Sequence, residues 1–129
     1  MTAAKTPQID SQYSTGLSRH NIEQALIAAG MDLHRTQPAD LGVLEDFHTS
    51  GRIATSQLAE LAEITSNDEV LDAGSGIGGT ARFLADQYGC RVTTIDLTEE
   101  YCETARWLNR RICRLGKVSS TLSSANTCR

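Results

Sequence analysis

Long apolar runs are missing from this chain. No stretch approaches the roughly 18 residues that a membrane-spanning helix needs. The opening MTAAKTPQID holds no apolar core of export-signal length, so a cytoplasmic setting is expected. CxxC spacing is missing too. Cys90, Cys102, Cys113 and Cys128 stand far apart, which argues for reduced thiols over a zinc site or a disulfide frame. The length, 129 residues, leaves room for one domain and not two. A composition of 40% hydrophobic and 22% charged residues is that of a folded globular chain rather than a disordered one.

Acids are missing from one end. Residues 1–105 hold all 16 acidic side chains against six bases, a balance of −10. Residues 106–129 hold the other six bases and no acid, a balance of +6. Such asymmetry is known from nucleic-acid and membrane arms. Trp107 is the one aromatic residue there, too little interleaving for a single-strand binding surface. The expectation is therefore no nucleic-acid partner and no membrane partner. Composition leaves the oligomeric state open.

What is there reads as helices followed by alternating strands and helices. Residues 1–20 are polar and aperiodic, a loose arm. Asn21 can cap a helix with Ile22, Ala25, Leu26 and Ala29 on one face and Gly30 as its stop. A short helix after Pro38 aligns Leu41, Leu44 and Phe47. A third, over about 51–63, presents Ala54, Leu58, Leu61 and Ala62. After the turn residues Thr65–Asp68, EVLDA (69–73) is a strand running into GSGIGG (74–79). A helix follows, with Ala81, Leu84, Ala85 and Tyr88 on one face and Gly89 at its end. CRVTTID (90–96) is a second, β-branched strand. Thr98 can cap a last helix with Tyr101, Ala105, Leu108 and Ile112 as its buried stripe. Its first turn carries Glu99 and Glu100, where the helix dipole favours acids. A right-handed crossover makes the two strands parallel neighbours. The expected fold is α/β, a partial Rossmann-like parallel sheet of first strands only, preceded by N-terminal helices. Its segments are an arm (1–20), a helical segment (21–64), a glycine-loop unit (65–117) and a Ser/Thr-rich tail (118–129) expected to be disordered.

The glycines carry the chemistry. Gly74, Gly76 and Gly79 fit G-x-G-x-x-G, and Gly74, Gly76 and Gly78 fit G-x-G-x-G. Both patterns strip Cβ atoms from a loop so that a ligand can lie on its backbone at a helix start. The spacing alone does not separate NAD from S-adenosylmethionine. Asp72, two residues before Gly74, helps to decide between them. A carboxylate there repels a pyrophosphate and attracts an ammonium group, which S-adenosylmethionine has and NAD lacks. Asp96 closes the second strand 22 positions after Gly74, where an acid can grip two vicinal ribose hydroxyls. Leu97 follows, in a position to lie against an adenine face.

VLDAGSGIGG (70–79) followed by RVTTIDLT (91–98) resembles the first two motifs of the class I, Rossmann-like S-adenosylmethionine-dependent methyltransferases. DFHTSGR (46–52) is similar to small-molecule members of that family, near the sarcosine/dimethylglycine and ubiquinone-biosynthesis types. The resemblance covers roughly residues 16–109. It implies that Asp72, Gly74, Ser75, Gly76 and Gly78 contact the methionine part of S-adenosylmethionine, that Asp96 holds the ribose, and that the methyl acceptor is a small molecule. The family's full fold has seven strands, and no third strand or later motif is recognisable after Asn109. The expectation is a truncated or frame-altered methyltransferase that binds the cofactor weakly or not at all and does not turn over.

Methyl transfer needs a base only when the acceptor arrives protonated. His48 is the candidate. Arg52 is either a contact for the cofactor carboxylate or a solvated residue at a helix start. Two other readings stay open: an NAD-binding oxidoreductase fragment, and a non-catalytic fragment completed by a partner chain.

Overall fold

The computed structural model describes residues 19–32, 34–41, 51–112 and 118–122. Helix α1 (Arg19–Ala28), a 3-10 turn (Pro38–Leu41) and helix α2 (Gly51–Leu61) precede the sheet. Strand β1 (Glu69–Ala73), helix α3 (Gly79–Tyr88), strand β2 (Arg91–Asp96), helix α4 (Glu99–Ile112) and strand β3 (Val118–Leu122) follow in order. The three strands form one parallel sheet in the order β1-β2-β3.

The third strand corrects one expectation. Val118–Leu122 lies within the tail expected to be disordered and adds a strand beyond the two read from the sequence pattern. The physical reason is pairing. Without β3, the outer N–H and C=O groups of β2 would lack ladder partners, and a strand placed there supplies them. The rest of the tail, 123–129, lies outside the described residues, as do Cys113 and Cys128.

Two successive right-handed crossovers advancing in one direction set α3 and α4 on one face of the sheet. The strands follow. On β2, Val92 and Thr94 are buried while Arg91 and Thr93 are exposed. Ala81, Leu84 and Ala85 of α3 form a core with Val92, Cys90 and Ala59 of α2. The expected stripe of α4 is buried throughout and joins Ile22 and Leu26 of α1, Leu41, Ile77 and Trp107 in a second core. Arg19 of α1 adds a cation–π contact, 5.4 Å from the Trp107 ring centroid. Helix ends obey local chemistry. Gly89 takes a left-handed conformation at φ 71°, and its N–H caps the Ala85 carbonyl.

Two stripes differ from expectation. On α1, Ile22 and Leu26 are buried but Ala25 and Ala29 are exposed, a narrower seam that packs against α4 and joins Leu41 and Ile77 in the second core. On α2, Ala59 is buried, while Leu58 and Leu61 are 68% and 83% exposed. Periodicity correctly marks an apolar stripe there, but α2 meets α3 through its smaller side chains. The Leu44 and Phe47 positions fall outside the described residues.

Candidate functional site

The site begins with strand register. Asp72 pairs with Thr94 across β1 and β2, and Asp96 lies two residues beyond Thr94. Side chains alternate along a strand, so Asp72, Thr94 and Asp96 share a face. Strand and residue spacings set the Asp72 and Asp96 Cα atoms about 8 Å apart at the C-terminal end of the sheet. Between them the chain turns through the glycine loop into α3.

The loop is tied to β2. The amides of Gly74 and Ser75 both donate to the Ile95 carbonyl, at 2.8 and 3.1 Å. The Gly78 amide donates to Ser75 O at 2.9 Å, closing the turn. The Gly76 amide donates to Asp96 Oδ2 at 2.8 Å, and the Thr98 amide donates to Asp96 Oδ1 at 2.9 Å. The second acid is therefore held from both sides by backbone. An ionised carboxylate offers about four acceptor positions, so two backbone bonds leave room for two more.

Gly74 and Gly76 have φ of 75° and 56°, a region in which a side chain is strained. A Cβ at either would meet nothing within 4 Å, so open space lies over the loop at these two positions. At Gly78 a Cβ would come within 3.1 Å of Arg82 Nη1 and 3.6 Å of Ala105 Cβ. That glycine faces the protein interior.

Asp72 is the unusual member. Its Oδ2 is buried and has no hydrogen-bond partner among the described residues. Burial pushes its carboxyl above the usual range, and the charge of Asp96 pushes it further the same way. Asp72 also lines a cleft of about 570 Å³ between α2 and β1, together with Leu58, Ala59, Val70 and Leu84. Two carboxylates thus lie beside a bare loop, one of them with an orphaned buried oxygen.

Of the other expected site residues, Ser75 is half-buried and its hydroxyl donates to Ile95 O at 3.4 Å. Leu97 is 52% exposed on the residue following Asp96. His48 lies outside the described residues. The Arg52 guanidinium donates to the Pro38 carbonyl at 3.5 Å and sits 4.9 Å from the Phe83 ring centroid, so it engages the protein as well as solvent. Sequence reasoning missed two residues. The Cys102 thiol donates to the Asp96 carbonyl at 3.7 Å, and burial, followed by the Asp96 charge, pushes it up. Arg82, fully buried under the loop, gave no signal beyond its position one turn into α3.

Comparison with known proteins agrees with this geometry. Residues 70–126 match the family profile described as a methyltransferase domain. A glycine/sarcosine/dimethylglycine N-methyltransferase of Actinopolyspora halophila is 40% identical over 70 residues, covering 54% of this chain and 12% of that protein. A sarcosine/dimethylglycine N-methyltransferase of Halorhodospira halochloris is 31% identical over 111 residues, covering 78% of this chain and 38% of that protein. This chain thus spans well under half the length of either relative. In fold it is similar to an RNA methyltransferase of Salinibacter ruber solved with S-adenosyl-L-homocysteine, at a TM-score of 0.54 and 21% identity over 60% of this chain and 50% of that one. The oxidoreductase reading falls with these matches. The parallel strands and the glycine loop thus lie largely within the stretch that matches a methyltransferase domain, and the fold is similar to that of a methyltransferase solved with S-adenosyl-L-homocysteine.

Proposed function

We propose that this chain is the cofactor-binding part of an S-adenosylmethionine-dependent methyltransferase that acts on a small molecule. The observation that carries the proposal is the buried, partnerless Oδ2 of Asp72 beside the glycine loop. A buried polar atom without a partner is costly, and a ligand ammonium satisfies it. The residues fit the cofactor at each end. Asp72 takes the ammonium group, directly or through a water. Gly74, Ser75, Gly76 and Gly78 give the methionine part a bare backbone to lie on. Asp96, already oriented by the amides of Gly76 and Thr98, accepts from the two ribose hydroxyls. Leu97 lies against the adenine.

When bound, S-adenosylmethionine supplies a methyl group activated on a sulfonium. The protein's share is alignment and exclusion of water. His48 is assigned the base, needed only for an acceptor that arrives protonated. The names of the two curated relatives support a small amine as acceptor. Cytoplasmic placement belongs to the same reading, supported by the lack of CxxC or paired spacing among the four cysteines.

One observation favours completion by further polypeptide. Among the described residues β1 is paired on one edge only, and Leu71 on it is largely exposed. An unpaired strand edge invites another strand. The isolated chain therefore binds the cofactor weakly and does not turn over. Calorimetric titration with S-adenosylhomocysteine and with NAD, beside an Asp96→Ala control, tests the proposal. Binding of S-adenosylhomocysteine alone, lost in the control, supports it. NAD binding, or binding indifferent to Asp96, overturns it.

A further inference from the structure

A fully buried arginine lies under the glycine loop. Arg82 is 0% exposed, as is no other charged side chain described. It stands one turn into α3, and long helical side chains run back toward the helix N-terminus. Its head group accordingly returns to the loop. Nη2 donates to the Ile77 carbonyl at 2.7 Å, and Nη1 donates to Asn109 Oδ1 on α4 at 2.9 Å. Asn109 is itself buried, 8% exposed. The guanidinium thus bridges the inner side of the loop to the helix that follows β2.

The third glycine belongs to the same arrangement. At Gly78 the approach of Nη1 to within 3.1 Å of a would-be Cβ explains the missing side chain, whereas Gly74 and Gly76 face open space. Two glycines leave room for a ligand above the loop, and one leaves room for the guanidinium beneath it. The Ile77 carbonyl lies between Gly76, whose amide reaches Asp96, and Gly78, whose amide closes the turn on Ser75. Holding that carbonyl fixes the one peptide plane it shares with the Gly78 amide, and so the end of the turn that begins at Ser75. A planar fork can hold two acceptors at once in fixed geometry, which an ammonium cannot.

We propose that Arg82 is a positioning residue, clamping the underside of the glycine loop to Asn109 so that the Gly76 amide and Asp96 keep the geometry in which a cofactor is received. The proposal rests on the cofactor reading only for its binding arm.

The test compares Arg82→Met, Arg82→Lys and Asn109→Ala with the unaltered chain in two measurements. The first is amide hydrogen exchange without ligand. In every variant that folds, the amides of Gly76 and Gly78 should exchange about tenfold faster, while those of Val92 and Thr94 in the sheet keep their protection. The second is the dissociation constant for S-adenosylhomocysteine, expected to weaken about tenfold in Arg82→Met and less in Arg82→Lys, which can restore the bond to Ile77 O alone. Loop amides that exchange as in the unaltered chain overturn the proposal. So does failure of all three variants to fold, which makes Arg82 a support of the whole core. If the unaltered chain binds no S-adenosylhomocysteine, the cofactor reading fails, and the exchange measurement still decides the role of Arg82.

Discussion

Replacing Asp72 by Asn should stabilise the protein and impair ligand binding at once. In the free protein the carboxylate is a liability. Its Oδ2 is buried without a partner among the described residues, and burial and the Asp96 charge both raise its proton affinity. Relief of a buried, poorly satisfied charged oxygen is worth about 1–3 kcal/mol, discounted toward the lower figure because the side chain is not fully enclosed. A gain of about 1 kcal/mol raises the melting temperature by about 4 °C for a chain of this size. The pH dependence has a definite sign. An acid whose folded pKa lies above its ordinary 3.8 keeps its proton longer in the folded state. Stability therefore falls as pH rises from about 3.8 through the folded pKa, then levels. The advantage of Asp72→Asn should be small at pH 3.5, grow as pH rises through that window and level off above the folded pKa. Binding moves the opposite way. Loss of a charge-assisted bond to the ligand ammonium, about 1.5–3 kcal/mol, weakens S-adenosylhomocysteine about tenfold or more. Thermal melts at several pH values and a ligand titration give both numbers. A variant that melts lower at pH 7 and binds as before would refute the reasoning.

Other outcomes follow from the same geometry. Asp96→Ala removes the acceptor of the Gly76 and Thr98 amides, so it should cost about 1–2 kcal/mol in denaturant unfolding as well as ligand binding. Gly76→Ala places a side chain at φ 56° and should cost about 1 kcal/mol while filling the space above the loop, so calorimetry should show binding lost. Leu97→Ala, at a half-exposed position, should leave the melting temperature within about 1 °C and weaken S-adenosylhomocysteine a few-fold. His48→Asn should leave S-adenosylhomocysteine binding unchanged and lower methyl transfer more at neutral than at acid pH, because a general base must be unprotonated to act, when assayed in a chain with full-length activity.

Much of the β1–loop–α3–β2 unit was legible because its signals are local. Gly89 ends α3 through its own left-handed backbone, and RVTTID carries four β-branched residues in a row, Val92 to Ile95. The facing of Asp72 and Asp96 was legible as well, since parallel register and alternation put them on one side. Strand β3 was not, because VSSTL has no apolar alternation and forms by pairing with β2, a non-local partner. Arg82 was not legible for a related reason. A charged residue in an amphipathic helix ordinarily faces water, and the partner that receives the buried Arg82 is Asn109, 27 residues away. The exposure of Leu58 and Leu61 shows the remaining limit: periodicity marks a stripe and does not name what covers it.

The central claim is that a bare loop flanked by two acids receives a cationic sulfur nucleoside. Chemical-shift titration of the glycine-labelled chain with S-adenosylhomocysteine tests it most directly, since it detects weak binding residue by residue. The account predicts saturable movement of the Gly74, Gly76 and Gly78 amide signals, absent with NAD and absent in Asp96→Ala. Signals that stay still at millimolar ligand, or that move equally with NAD, would contradict it.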